Sequence, residues 1–273
     1  MKGLIFCGII VLMRQFDLYL KTAEEAAQRG AVLFKKHFGR AEGVEYKNGD
    51  PRNLVTEADR NIEKLITEYI SSRFPDHVIV GEEFSSDKKT SDDKFVWYID
   101  PIDGTRNYIL GLPFCSTSIG LWKGNEPIIG VVYDPVLEIM YTSLKGGGAC
   151  KNRDNKREKI AVSKVGKRES AIMSVGWKEN ADATFIFERV VSKVNKARVF
   201  ASCALELCFV AEGKLDLYVA KDRNIWDIAA GIAILSEAGG KTTDWQGIAP
   251  TPSTPHIIGS NGQLHSSILE LLK

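Results

Sequence analysis

The 273-residue sequence has no excess of charge of either sign, no C-x-x-C pair, no cluster of histidines and no long apolar span. Each absence removes a class of function. Lys and Arg total 36 against 35 Asp and Glu, a formal charge of +1. A balance that even gives no field to draw in nucleic acid or an anionic membrane, so recognition of phosphate has to be local. The five cysteines (Cys7, Cys115, Cys150, Cys203 and Cys208) are odd in number and scattered. They argue against a disulfide framework and a zinc site, and they fit a reducing, cytoplasmic setting. The four histidines (His37, His77, His256, His265) lack metal-ligand spacing and read as packing or surface residues. No G-x-x-x-x-G-K-[ST] loop is present, which disfavours nucleotide hydrolysis of the P-loop kind. The opening MKGLIFCGIIVLM resembles a short signal-peptide core, but it lacks a small-x-small cleavage signal and is too short to span a bilayer. Residues 1–12 read as an N-terminal extension, with Met13 as an alternative start.

What is present has a clear rhythm. Leu20, Ala23, Ala27, Ala31, Phe34 and Phe38 recur at spacings of three and four, the apolar stripe of a helix stopped by Gly39. A second helix follows Thr56, where Thr56-x-x-Asp59 resembles a capping box and Ile62, Leu65, Ile66, Tyr69 and Ile70 supply a buried face. Short β-like runs at 77–80, 95–99, 116–122, 127–133 and 139–142, joined by short turns, predict an antiparallel sheet. Gly146-Gly147-Gly148 and the charged stretch 151–159 mark the expected boundary between an α+β half over 13–150 and an α/β half over 151–273. Beyond it strands (171–175, 199–201, 215–219, 256–260) alternate with helices (183–195, 203–212, 225–238), the pattern of a sheet covered by helices.

The chemistry sits in acids at element ends. The run Phe95-Val96-Trp97-Tyr98-Ile99 ends in DPIDGT, so Asp100 and Asp103 leave one rigid strand end about a proline. Glu82 follows the apolar 78–80, Asp59 lies in the first turn of its helix, and Asp227 opens another. Singly, Asp59 and Asp227 are explained by the attraction of acids to helix N-termini. Jointly, five carboxylates that an α/β scaffold can aim into one crevice would repel each other without a cation. All-oxygen donors with no soft ligand select Mg²⁺ or Mn²⁺; Ca²⁺ would lack its EF-hand loop. Gly104 and Thr105 add backbone amides for an anion, especially if a helix starts at Thr105. Metal plus phosphate cradle means phosphoryl chemistry.

The sequence resembles the inositol monophosphatase family of Mg²⁺-dependent, lithium-sensitive phosphatases. DPIDGT at 100–105 matches one family signature, and WDIAAG at 226–231 with EAGG at 237–240 matches another. GEE, LVTEAD and SNG fall in the expected order, and the likeness runs from about Met13 to the C-terminus. It implies a layered α/β/α/β/α sandwich of the inositol monophosphatase and fructose-1,6-bisphosphatase type, usually a homodimer, with two or three ions. Carried over, Glu82, Asp100 and the carbonyl of Ile102 hold the first ion, and Asp100, Asp103 and Asp227 the second. Glu82 helps a loosely bound third. Asp59 and Thr105 orient and deprotonate the attacking water, and the Gly104 and Thr105 amides take the phosphate. Ser202 falls in the family's sugar-contacting segment, where Cys203 departs from the pattern. The glutamate that contacts inositol in animal members falls on Ala220, and Arg223, a few residues on, is a second candidate contact.

The expected reaction is Mg²⁺-dependent hydrolysis of a small phosphorylated polyol or sugar, inositol 1-phosphate first. Fructose 1,6-bisphosphate, histidinol phosphate and 3′-phosphoadenosine nucleotides are the alternatives, and a non-enzymatic RNA- or protein-binding member of the same fold is the competing class. Near-zero net charge argues against the last.

Overall fold

The computed structural model describes residues 2–40, 43–49, 54–84, 93–177 and 183–273. Two helices form the first layer, α1 over Lys2–His37 and α2 over Glu57–Ser71. α1 is already helical at Lys2, so residues 2–12 are its first turns. No helix among the described residues is long and apolar enough to cross a membrane. The capping box at Thr56 is present: its N–H donates to Asp59 Oδ2 at 2.8 Å, and the Asp59 N–H donates to Thr56 Oγ1 at 3.3 Å. Between the helices, β1 (Glu45–Tyr46) and β2 (Leu54–Val55) pair antiparallel.

The first sheet holds β3 (Val78–Gly81), β4 (Phe95–Asp103), β5 (Ser116–Lys123), β6 (Glu126–Asp134), β7 (Ile139–Leu144), β8 (Gly148–Arg153) and β9 (Lys156–Lys159), in that order. All neighbours are antiparallel except β3 and β4. The glycine and charge run expected as a boundary thus builds the last two strands. Its side chains at 156–159 are all exposed, and an edge strand accommodates charge that a central strand would not.

The second sheet has the order β11 (Lys196–Arg198), β10 (Ile172–Trp177), β12 (Leu217–Lys221), β14 (Ile257–Ser260), β13 (Lys241–Thr243). β10 runs parallel to both of its neighbours, and β14 antiparallel to both of its own. The helices are α3 (Thr105–Leu110), α4 (Thr184–Arg189), α5 (Cys203–Ala211), α6 (Ile225–Glu237) and α7 (His265–Leu272). The helix expected over 183–195 is the short α4 plus a 3-10 turn, because its apolar pattern spans barely two turns. The strand expected at 199–201 is a loop with Ala201 at φ 57°, a conformation no strand contains, and β11 just before it takes the place in the sheet.

Five layers result. α1 and α2 cover one face of the first sheet, with Phe34, Ile62 and Ile66 packed among Trp97, Ile99 and Ile129. α5 and α6 fill the space between the sheets, where Leu205, Leu207 and Ile228 meet Trp122, Val132 and Tyr218. α4 and α7 cover the far face of the second sheet around Met173, Ile186, Leu217 and Ile268. Both faces of β4 are therefore buried, Val96 and Tyr98 toward one layer and Trp97 and Ile99 toward the other, which explains its uninterrupted apolar run.

α6 lies directly on β5 and β6. Trp122 Nε1 donates to the Ala229 carbonyl at 3.2 Å. A Cβ on Gly130 would stand 2.4 Å from the Ala230 oxygen. This close approach ties the start of α6 to the sheet that carries Asp100 and Asp103. Gly130→Ala should therefore cost about 1–3 kcal/mol in urea unfolding, as overpacking against backbone does. Gly146→Ala meets no atom within 4 Å and suffers only its φ of 74°, for a loss of about 1 kcal/mol. Equal losses would show that α6 does not sit this tightly.

Candidate active site

On a regular strand, residues three apart point to opposite faces. Asp100 and Asp103 escape that rule because β4 pairs Asp100 with Ser118 but Asp103 with Ser116, three steps against two. The extra residue is a β-bulge, which re-aims the strand and lets both carboxylates serve one cavity. Pro101 sits within it, where the ladder does not demand its missing N–H, and its carbonyl accepts from Thr117 Oγ1 at 2.9 Å. The chain then turns at Gly104 (φ 85°), where a Cβ would stand 2.8 Å from the Phe114 oxygen, and α3 starts at Thr105.

A cavity of about 430 Å³ opens beside this turn. Glu82, Asp100, Ile102, Asp103, Gly104 and Thr105 line it from the first half, and Arg223 and Asp227 from the second. Two expected site residues stand behind its wall. Asp59 is reached through Thr105, whose Oγ1 lies 3.5 Å from Asp59 Oδ1 and donates to the Ile102 carbonyl at 3.1 Å. Ser202 is fully buried and donates to Asp103 Oδ2 at 2.6 Å, so it faces the aspartate and not the cavity. The Cys203 and Ala204 amides also donate to Asp103, at 3.0 and 2.9 Å, making its carboxylate the anchor of the α5 N-terminus. Ala220 is fully buried in the core between the sheets and does not line the cavity.

Burial and mutual repulsion set the charges. Asp100 is pushed well above the ordinary carboxylate range by burial, then by Glu82, Asp103 and Asp227. Burial raises Asp227 to about 7 against the pull of Arg223, and Asp103 to about 6 against the Ser202 hydroxyl. Asp59 rises to about 7, chiefly by burial, with the Thr56 hydroxyl opposing and Glu82 adding to it.

Sequence reasoning missed three supports. Lys47 Nζ is 2.7 Å from both Glu82 Oε1 and Glu83 Oε1. Burial opposes its charge, but the two glutamates outweigh that and raise its pKa. Glu63 is fully buried and accepts from the Glu83 and Phe84 amides at 2.7 and 3.0 Å, holding the turn that presents Glu82. Its signal was an acid beside Ile62 on the apolar face of α2. Glu206, also fully buried, accepts from the Phe200 amide at 3.1 Å. Lys47 had no signal beyond its charge.

The donor set suits a hard divalent cation: carboxylate and carbonyl oxygens gather in one cavity, and burial with repulsion penalises their charge. Among the described residues no three acidic, histidine or cysteine side chains already converge as ion ligands. Glu82 is turned onto Lys47 and Asp103 onto α5.

Comparison with known proteins identifies the family. The inositol monophosphatase family model matches residues 16–273. The fructose-1,6-bisphosphatase/inositol-1-monophosphatase of Aquifex aeolicus is 36% identical over 265 residues, covering 96% of this chain and 97% of that protein. Inositol monophosphatase 2 of Solanum lycopersicum is 33% identical, over 93% and 97% of the two chains. The IMPase structure from Thermotoga maritima superposes with a TM-score of 0.81 at 33% identity, over 95% and 96%. On this evidence the chain belongs to the inositol monophosphatase family and is a phosphoric monoester hydrolase.

Proposed function

We propose that the chain hydrolyses small phosphorylated polyols and sugars with Mg²⁺, inositol 1-phosphate among them, as a cytoplasmic homodimer. The observation that carries this reading is the bulge at the end of β4, which sets Asp100 and Asp103 into one cavity with Glu82 and Asp227, beside the Asp59–Thr105 pair. The names of the Aquifex and tomato relatives support inositol phosphate and fructose 1,6-bisphosphate as substrates.

Glu82, Asp100 and the Ile102 carbonyl would hold one ion and Asp100, Asp103 and Asp227 another, with a third held weakly at Glu82 once Lys47 is displaced. Bound Mg²⁺ would acidify a water and neutralise the charge of an in-line displacement. The chain's own groups do the rest. The Gly104 and Thr105 amides face the phosphate. The Thr105 hydroxyl would orient the nucleophile, and Asp59, whose Oδ1 lies 3.5 Å from Thr105 Oγ1, is placed to take a proton through it. Ser202, expected to contact the substrate, donates to Asp103 and fixes it.

Asp100→Asn should abolish turnover and weaken Mg²⁺ binding in calorimetry while the fold persists, since one fewer buried carboxylate relieves repulsion. Near-normal activity would refute a metal site here. Thr105→Ala should lower kcat roughly 10²–10⁴-fold with little change in KM, whereas a change in KM alone would assign Thr105 to binding.

Metal removal gives a signed test. Asp59, Glu83 and Asp227 have folded values near 7, and Asp103 near 6, against about 4 for unfolded carboxyls. The folded chain binds more protons than the unfolded between those values, so in EDTA stability should fall as pH rises from 5 to 8. Mg²⁺ should restore melting temperature most at pH 8. A metal-free melting temperature that climbs over this interval would contradict the repulsive cluster.

A further inference from the structure

We infer that Asn107 is a positioning residue for the scissile phosphate: its side-chain amide clamps together the two loops that wall in Gly104, and so fixes where the Gly104 and Thr105 amides point. The inference rests on the phosphatase reading above and deepens it by naming a further residue on which that site depends.

Asn107 lies in the first turn of α3, is buried, and does not line the cavity. Its Nδ2 carries two donors, and both are used. One goes to the Phe114 carbonyl at 2.8 Å and the other to the Phe200 carbonyl at 2.6 Å, so one side chain holds a loop from each half of the chain. These same loops press on the phosphate turn. A Cβ on Gly104 would stand 2.8 Å from the Phe114 oxygen and 3.1 Å from the Ala201 oxygen, so Gly104, at φ 85°, sits between them with no room to spare.

The second loop needs the clamp. Ala201 stands at φ 57°, a left-handed conformation that costs a non-glycine residue energy and persists only where its surroundings impose it. Here they grip the residue before it. Glu206 Oε1 accepts the Phe200 N–H at 3.1 Å, Asn107 donates to its carbonyl, and its ring lies 5.0 Å from that of Phe114. Without the Asn107 amide both carbonyls lose this donor, and the strained loop is free to relax away from Gly104. The two amides that take the phosphate would then lose their fixed aim. Asp103 has its own anchors in the Cys203 and Ala204 amides, so the loss falls on phosphate and not on Mg²⁺. Amides that hold a phosphate through substrate and transition state alike contribute to binding, and their displacement is read in KM.

The test compares the full-length wild type with Asn107→Ala and Asn107→Asp on inositol 1-phosphate and fructose 1,6-bisphosphate in saturating Mg²⁺, with inorganic phosphate as inhibitor. Asp keeps the shape of Asn but, ionised, donates no hydrogen bond. In both variants KM and the inhibition constant of phosphate should rise together, roughly 10- to 100-fold and on both substrates, with kcat and the half-activating Mg²⁺ concentration nearly unchanged. That is the opposite split from Thr105→Ala. If Asn107→Ala fails to fold in a thermal melt, Asn107→Ser, which retains one donor, is read the same way. A half-activating Mg²⁺ concentration that moves as far as KM would make the effect a general loosening of the site and overturn the proposal. So would a fall in kcat with KM unchanged, or an Asp variant that behaves as the wild type, which would make side-chain volume and not the donors the cause. A wild type that hydrolyses neither substrate would overturn the phosphatase reading itself and this inference with it.

Discussion

Like charges crowded out of water are the constraint on which this molecule turns. Asp59, Asp100, Asp103 and Asp227 all titrate above the ordinary carboxylate range, and burial is the first cause in each. Such a cluster would spread apart on a soft scaffold. Here each acid is held by something rigid: Asp100 and Asp103 by a bulged central strand, Asp59 by a capping box, and Asp227 by the first turn of a helix packed on the sheet. The repulsion is stored in the fold, and a divalent ion can release it.

Asp103 shows how the two halves are joined through this cluster. Its carboxylate takes one hydroxyl and two amide hydrogen bonds at the start of α5, from the other half of the chain. An acid suited to ligating a metal is also the clasp between halves, so the assembly of the site and the docking of α5 depend on one side chain. Lys47 does something comparable at the cavity rim. Its ammonium engages Glu82 and Glu83 and offsets part of the repulsion there.

The layered core explains why the site sits where it does. α5 and α6 are shared by both sheets, and α6 approaches β5 and β6 so closely that Gly120 and Gly130 have no room for a side chain. The cavity opens where the N-terminal ends of these middle helices meet the end of β4, and side chains of both halves line it.

Much of this was determined by the sequence alone. Periodicity marked α2, α5, α6 and most strands of the first sheet, because a helix stripe and an uninterrupted apolar run each follow from which faces are buried. The five acids of the site were legible from their places at element ends. The charged strands β8 and β9 were not, since β9 lies at the sheet edge with every side chain exposed and β8 beside it is buried at only two positions, so neither carries the apolar run that announces a strand. Nor could spacing show that Asp100 and Asp103 share a side, which needs a bulge that a one-dimensional period of two cannot express. Only the tertiary structure decided that Ser202 turns to Asp103, that Ala220 is core and that Arg223 enters the cavity, because each depends on which face of its own element meets a residue about a hundred positions away or on a turn pinned by a distant strand.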